Sequence, residues 1–237
     1  MGQGAQGRGL QPFGPDIWIA AGDPVSVLGF AYPTRMAVMR LPGGGLVIWS
    51  PVALTEDLRA SVAALGPVQH IVAPNTLHHL FIGDWARGFP AAKVHAAPGL
   101  RAKRADLAFD SDLGDAPHAD WAGALEQAVI RGNAITTEVV FFHAASGTAL
   151  FTDLLQSYPD DWFSGWRRAV ARLDRMLEQP PAVPRKFRLA FTDRRAARAG
   201  IARVLGWPIE RVLMAHGTPV TQDARAYLRS AFGWLTG

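Results

Sequence analysis

With 237 residues, the chain is long enough for one large domain or two small ones with a sizeable core. A hydrophobic fraction of 49% against 19% charged excludes intrinsic disorder, and no apolar run approaches the ~20 residues that a membrane-spanning helix requires. Cysteine is absent, which excludes disulfides, thiolate metal sites and a cysteine nucleophile, so any metal must be held by His, Asp or Glu.

The formal charge of +4 is dispersed. Only Arg101–Arg104 and Arg194–Arg198 cluster, without interleaved aromatics, so solvated helix faces are expected and a nucleic-acid partner is not. The opening run, Met1 to Gly9, lacks the apolar core of a signal peptide. Residues 1–15 read as a flexible lead-in to one domain over 16–237, with cytoplasmic residence and no membrane partner expected.

In chain order, Asp16–Ala20 and Val25–Phe30 form two short apolar runs broken by Gly22-Asp-Pro24. Met36–Leu41 and Leu46–Ser50 flank Pro42-Gly-Gly-Gly45, the strongest hairpin signal in the chain. Leu54–Leu65 has Thr55 as an N-cap, Glu56 and Asp57 in its first turn and Gly66 at its end, which predicts a helix. A buried strand at Ile71–Ala73, a loop entering a short helix over 75–88 and a strand from Lys93 follow, then a polar surface connection over 100–120. Ala124–Arg131 predicts a strand, and Thr137–His143 with Thr148–Thr152 a second hairpin. The last third predicts helices over Trp162–Leu177, Asp193–Leu205 and Gln222–Leu235, with a strand at Val212–Ala215. Two β-rich halves, each followed by helix, imply a single α/β domain with a mixed, largely antiparallel sheet core.

His79, Asp153 and His216 each stand where an apolar strand stops, the place where α/β sheets present ligands. The competing reading is structural: buried, hydrogen-bonded histidines and an aspartate capping a turn. Glu138, a charge at the start of an apolar strand, is either a solvated edge residue or an inward carboxylate near the site. His143 faces a hairpin turn and reads as structural. Arg35 could bind an anionic substrate and Trp85 could wall a pocket, with core packing as the alternative for both.

The order of elements, together with the phrases Pro33-Thr-Arg-Met36, Leu46-Val-Ile-Trp-Ser-Pro51, Ala73-Pro-Asn-Thr-Leu-His-His79, Phe151-Thr-Asp-Leu154 and Ala215-His-Gly217, resembles the metallo-β-lactamase fold. More narrowly, it resembles a branch of that superfamily classed as a domain of unknown function. The resemblance implies an αββα sandwich of two mixed sheets flanked by helices, with the metal site at one sheet edge. The superfamily loop His-x-His-x-Asp-His falls on residues 74–79, so Pro74 and Thr76 stand where its first two histidines belong, His78 on its aspartate and His79 on its last histidine. Its next histidine would lie near residue 134, where Asn133, Ala134 and Ile135 stand instead. Asp153 and His216 match the bridging aspartate and the last histidine, and Ser50 replaces an aspartate common behind the ligands. One of the superfamily's two metal sites is thus lost, and the second is implied to survive on His78, His79, Asp153 and His216.

Such a set suits one Zn or Fe ion. Adjacent residues 78 and 79 can both reach it only from an irregular loop. The leading expectation is a single-metal hydrolase acting on an unknown small molecule, with Glu138 or an uncoordinated histidine as base. The alternatives are a metal-free binding or scaffolding relative and a mononuclear iron redox protein. Substrate and oligomeric state are not encoded legibly.

Overall fold

The computed structural model describes residues 9–237; residues 1–8 of the expected lead-in lie outside the described residues. Within that lead-in, Gln11–Gly14 forms a strand, β1, paired antiparallel with β2 (Ile17–Val27). The two runs expected on either side of Gly22-Asp-Pro24 are one strand, because that segment is an irregularity in the register with β3 (Phe30–Arg40) and not a turn. β3 returns through the Gly-rich turn as β4 (Leu46–Trp49), pairing Ala37 with Trp49 and Val38 with Ile48.

From β4 onward the pairing is parallel, through β5 (Val68–Ala73), β6 (Lys93–Ala96) and the short β7 (Ser111–Asp112), completing a seven-stranded sheet in the order β1 to β7. Helix α1 (Glu56–Ala63) makes the β4–β5 crossover, and its Thr55 cap accepts from the Leu58 N–H, an arrangement worth about 1 kcal/mol. Helix α2 (Ile82–Gly88) and the one-turn α3 (Leu100–Lys103) cover the same outer face. The second sheet has four strands in the order β11-β10-β9-β8: β8 (Leu125–Ile130), β9 (Glu138–His143) and β10 (Thr148–Gln156) are antiparallel, and β11 (Arg211–His216) is parallel to β10.

Three apolar layers follow from the alternation along these strands. Between the sheets, Met39, Val47, Trp49 and Val72 meet Leu125, Phe141, Leu150 and Leu213. Outside the first sheet, Val38, Ile48 and Ile71 pack with Leu58, Val62, Ile82 and Trp85. Outside the second, Ile130, Phe142 and Phe151 pack against α5 (Arg185–Ala190), α6 (Arg194–Leu205) and α7 (Ala224–Thr236), through residues such as Phe187, Ile201 and Phe232. This is the four-layer αββα sandwich. A fourth small cluster stands apart: Tyr158, Phe163, Ala171 and Met176, from the segment around α4 (Gly165–Leu173), pack with Phe30 and Tyr32 of β3.

Candidate metal centre

The carboxyl ends of β4, β5, β10 and β11 converge, and each delivers one part of the site. At the end of β5, Asn75 is fully buried and its Oδ1 accepts from the N–H groups of Leu77 (2.8 Å) and His78 (2.9 Å). That side-chain turn bends the chain out of strand geometry. It aims His78 inward, and His79 follows it in the other direction.

β10 and β11 lose register between Phe151 and Gln156, so Asp153 sits in a bulged stretch whose backbone N–H groups leave the ladder. Glu138, buried at the start of β9, receives them: its carboxylate accepts from the N–H groups of Thr152 (2.7 Å), Asp153 (2.8 Å) and Leu154 (3.0 Å). Asn75 then donates from Nδ2 to Thr152 Oγ1 (2.8 Å) and Asp153 Oδ2 (2.6 Å), tying the β5 loop to the bulge.

His216 ends β11. Its Nδ1 lies 2.7 Å from the Pro33 carbonyl oxygen, which can only accept, so in the neutral ring Nδ1 carries the proton and the Nε2 lone pair points into the site. Gly217 follows because a Cβ there would fall 2.6 Å from the Ser157 carbonyl oxygen. At the end of β4, Ser50 adopts φ +51°, a left-handed conformation uncommon outside glycine, and its Oγ stands 2.8 Å from His78 Nδ1.

His78, Asp153 and His216 thus bring one ligand atom each to within 4.8 Å of one another, and no other such group of three occurs among the described residues. His78 Nε2 is 3.1 Å from His216 Nε2 and 3.3 Å from Asp153 Oδ2, and His216 Nε2 is 3.5 Å from Asp153 Oδ1. Burial alone would push the Asp153 carboxyl up, but the two imidazoles hold it well below the ordinary carboxylate range. Two imidazoles with a buried, ionised carboxylate, each braced from behind, are a donor set suited to Zn²⁺ or Fe²⁺, and three protein ligands leave a coordination position open.

The other expected site residues are placed elsewhere. His79 is not in the group: Arg104 donates to its Nδ1 (3.0 Å), and burial, with Lys103 and Arg104 nearby, lowers its pKa to about 4. Glu138 is inward, as one reading of the sequence had it, but both its oxygens are taken by backbone donors. Burial and the Asp153 charge raise its pKa to about 7, against the pull of those N–H groups. Arg35 spends its guanidinium on the carbonyls of Met214 (2.5 Å) and Gly217 (2.6 Å), joining β3 to the end of β11, and burial lowers its pKa to about 10. Trp85 is wholly buried, donates from Nε1 to the Val52 carbonyl (2.7 Å) and stacks on Phe89, so it belongs to the core under α2. His143 pairs with Ser146 Oγ (2.8 Å).

Among the residues that the resemblance sets at the lost histidine positions, Thr76 meets the Thr136 hydroxyl at 3.3 Å, and Asn133 is consumed by the Phe187 carbonyl and the N–H groups of Ile135 and Thr136. Asn75 and Thr152 belong to the candidate site's hydrogen-bond network and were not expected from the sequence. The signal available for Asn75 was an Asx-turn residue two positions after the end of a strand and three residues before a histidine.

Comparison with known proteins agrees with this architecture. The family described as Domain of unknown function (DUF4336) matches residues 16–161, more than half of the chain. No curated protein matches it. Among solved structures, a metallo-beta-lactamase from Pontibacter korlensis is similar with a TM-score of 0.61 and 14% identity, over 94% of this chain and 98% of that one. A metallo beta lactamase from Hirschia baltica gives a TM-score of 0.63 and 11% identity, over 96% of each chain. The Flv1 flavodiiron core from Synechocystis gives a TM-score of 0.63 and 11% identity, over 96% of this chain but 60% of that one. At such identities these likenesses speak for the fold, and the family match speaks for the lineage: the chain belongs to the DUF4336 family and has the metallo-β-lactamase fold.

Proposed function

We propose that this protein holds a single Zn²⁺ or Fe²⁺ ion through His78, Asp153 and His216 and acts as a hydrolase on a small molecule. The observation that carries this reading is the convergence of three braced donors on one point, with hydroxyls and amides in place of a second donor group. A divalent ion at that point would acidify a water and polarise a carbonyl or phosphoryl oxygen. The chain's own residues supply orientation. Pro33 and Ser50 fix the two imidazoles, Asn75 fixes the Asp153 carboxylate, and Glu138 holds the bulge that carries it. Glu138 is therefore a positioning residue in this reading, not the base. The side chains of His78, Asp153 and His216 are only 10%, 8% and 5% exposed, which favours a small substrate over an extended one.

The test is metal content of protein purified without chelator, with thermal melting after addition of Zn²⁺ or Fe²⁺ and assay of small esters, lactams and phosphodiesters. One stoichiometric ion, a raised melting temperature and hydrolysis support the proposal. No ion and no shift would defeat it and leave a metal-free binding module. A second reading, mononuclear iron redox chemistry, is favoured by the two-histidine, one-carboxylate donor set with open positions. It also draws on the likeness to a flavodiiron core. Tightly bound iron with oxygen consumption, in place of zinc with hydrolysis, would decide for it.

A further inference from the structure

Large apolar side chains exposed to solvent are concentrated at one place. Five of the nine recorded among the described residues are Val27 and Leu28 at the β2–β3 tip and Trp166, Val170 and Leu173 on α4. On α4 they recur at i, i+4 and i+7, forming one stripe, and only Ala171 of that helix is buried. Tip and helix are joined: Phe30 packs edge-on against Trp166 at 5.6 Å, and Arg167 donates to the Gly29 carbonyl at 2.7 Å.

Leu28 is the strongest sign of purpose. It is 93% exposed and, with Gly29, makes the two-residue turn closed by the Val27–Phe30 pair. That turn requires the positive φ (+50° at Leu28) but does not call for a large apolar side chain, and Asn, Asp or Gly fills it more readily. A leucine raised on a hairpin tip is a projection, not the wall of a groove. Around the stripe, α4 carries Arg167, Arg168 and Arg172 and no acidic residue, with Asp160 offsetting Arg168 and Arg172 in part. The whole segment 157–190 has seven basic against four acidic side chains. Like charge disfavours pairing of this face with its own copy, and an anionic surface complements it.

We propose that the β2–β3 tip and α4 form a docking surface for an anionic lipid bilayer. Leu28 and Trp166 enter the boundary between headgroups and acyl chains, and the α4 arginines lie among the phosphates. The sequence expectation of no membrane partner rested on the lack of a spanning helix, and among the described residues no helix is long and apolar enough to cross a membrane. Surface docking needs no such helix.

The experiment is co-sedimentation of the whole protein with phosphatidylcholine vesicles and with vesicles containing about one-third phosphatidylglycerol. Light scattering is run alongside on protein alone. The expected result is binding to the anionic vesicles only, weakened by salt, and reduced about tenfold in Leu28→Ser and Trp166→Ser at unchanged melting temperature. Failure of the wild type to bind anionic vesicles at low salt, or equal binding by both variants, overturns the proposal. So does a concentration-dependent dimer abolished by Trp166→Ser, which would assign the patch to self-association. None of these outcomes depends on the metal centre.

Discussion

His78 and His216 face each other through their Nε2 atoms at 3.1 Å, although they come from opposite sheets and lie 138 residues apart. The Pro33 carbonyl forces the His216 proton onto Nδ1, so without an ion His78 must donate from Nε2 and accept at Nδ1 from the Ser50 hydroxyl. With an ion between the rings, both Nε2 lone pairs face it, and His78 must donate from Nδ1 to Ser50. A hydroxyl serves both arrangements, whereas a carboxylate serves only the second. Ser50→Ala is therefore expected to weaken ion binding about tenfold and Ser50→Asp to strengthen it by a similar factor. Competition with a chromogenic chelator measures both; equal affinities in all three proteins would show that Ser50 does not set the ring.

The adjacent histidines should separate cleanly under mutation. His216→Ala removes a ligand atom and is expected to abolish stoichiometric ion binding. His79→Ala leaves the group of three intact and removes only the bond from Arg104, which keeps its contacts to the His79 carbonyl and Asp106. Ion content should be unchanged and stability lower by about 1 kcal/mol. Loss of the ion from His79→Ala, seen by elemental analysis, would return His79 to the ligand set.

Local rules made much of the fold legible: the Pro42-Gly-Gly-Gly45 turn, the Thr55 cap and the second hairpin all occur where expected. Gly22-Asp-Pro24 reads as a break because turn residues also make bulges, and only the partner strand distinguishes the two. Helix α5 is hidden behind Pro180, Pro181 and Pro184, which suppress any periodic signal before it. Asp153 and His216 of the candidate group were legible from strand ends and family order alike, whereas strand ends pointed to His79 and only family order to His78. The roles of Glu138, Arg35 and Trp85 were not, since a sequence shows that a polar group is near a strand end but not which backbone groups it must satisfy there.

Glu138 gives the sharpest structural prediction. Its two oxygens accept three N–H groups, and a glutamine offers only one acceptor oxygen while turning an amide NH₂ toward backbone donors. Glu138→Gln should cost about 2–4 kcal/mol, because a buried donor is left unpaired or two donors are opposed. It should also lower ion affinity by loosening Asp153. Urea unfolding gives the first quantity and chelator competition the second. A variant of unchanged stability would mean that the bulge at Asp153 is held by other contacts.

A second group of histidines, far along the strands from the candidate centre, sets the response to acid. His70 Nδ1 lies 3.0 Å from His95 Nε2, and His95 Nδ1 lies 2.7 Å from Ser111 Oγ. Trp121 stands against His70, His95 and His118 with ring centroids at 5.0, 4.8 and 5.1 Å. Burial drives His70 down to about 4 and His95 to about 3 from an ordinary 6.5, with Asp120 pulling His70 back only in part. A histidine so depressed stabilises the fold fully above pH 6.5, and that contribution is lost as pH falls through its folded value. Glu138 works in the opposite sense, because a carboxylate raised to about 7 stabilises at low pH and loses that contribution as pH rises. His79, lowered to about 4, acts in the same sense, so three histidines outweigh one carboxylate between pH 4.5 and 6.5 and stability should fall on acidification, His70 and His95 each contributing on the order of 3 kcal/mol. Urea midpoints at neutral and mildly acid pH, taken in chelator so that ion release adds nothing, should drop for the wild type and drop less for His95→Gln. A midpoint that rises toward acid would mean that the Glu138 carboxylate, and not the histidine group, governs the pH dependence.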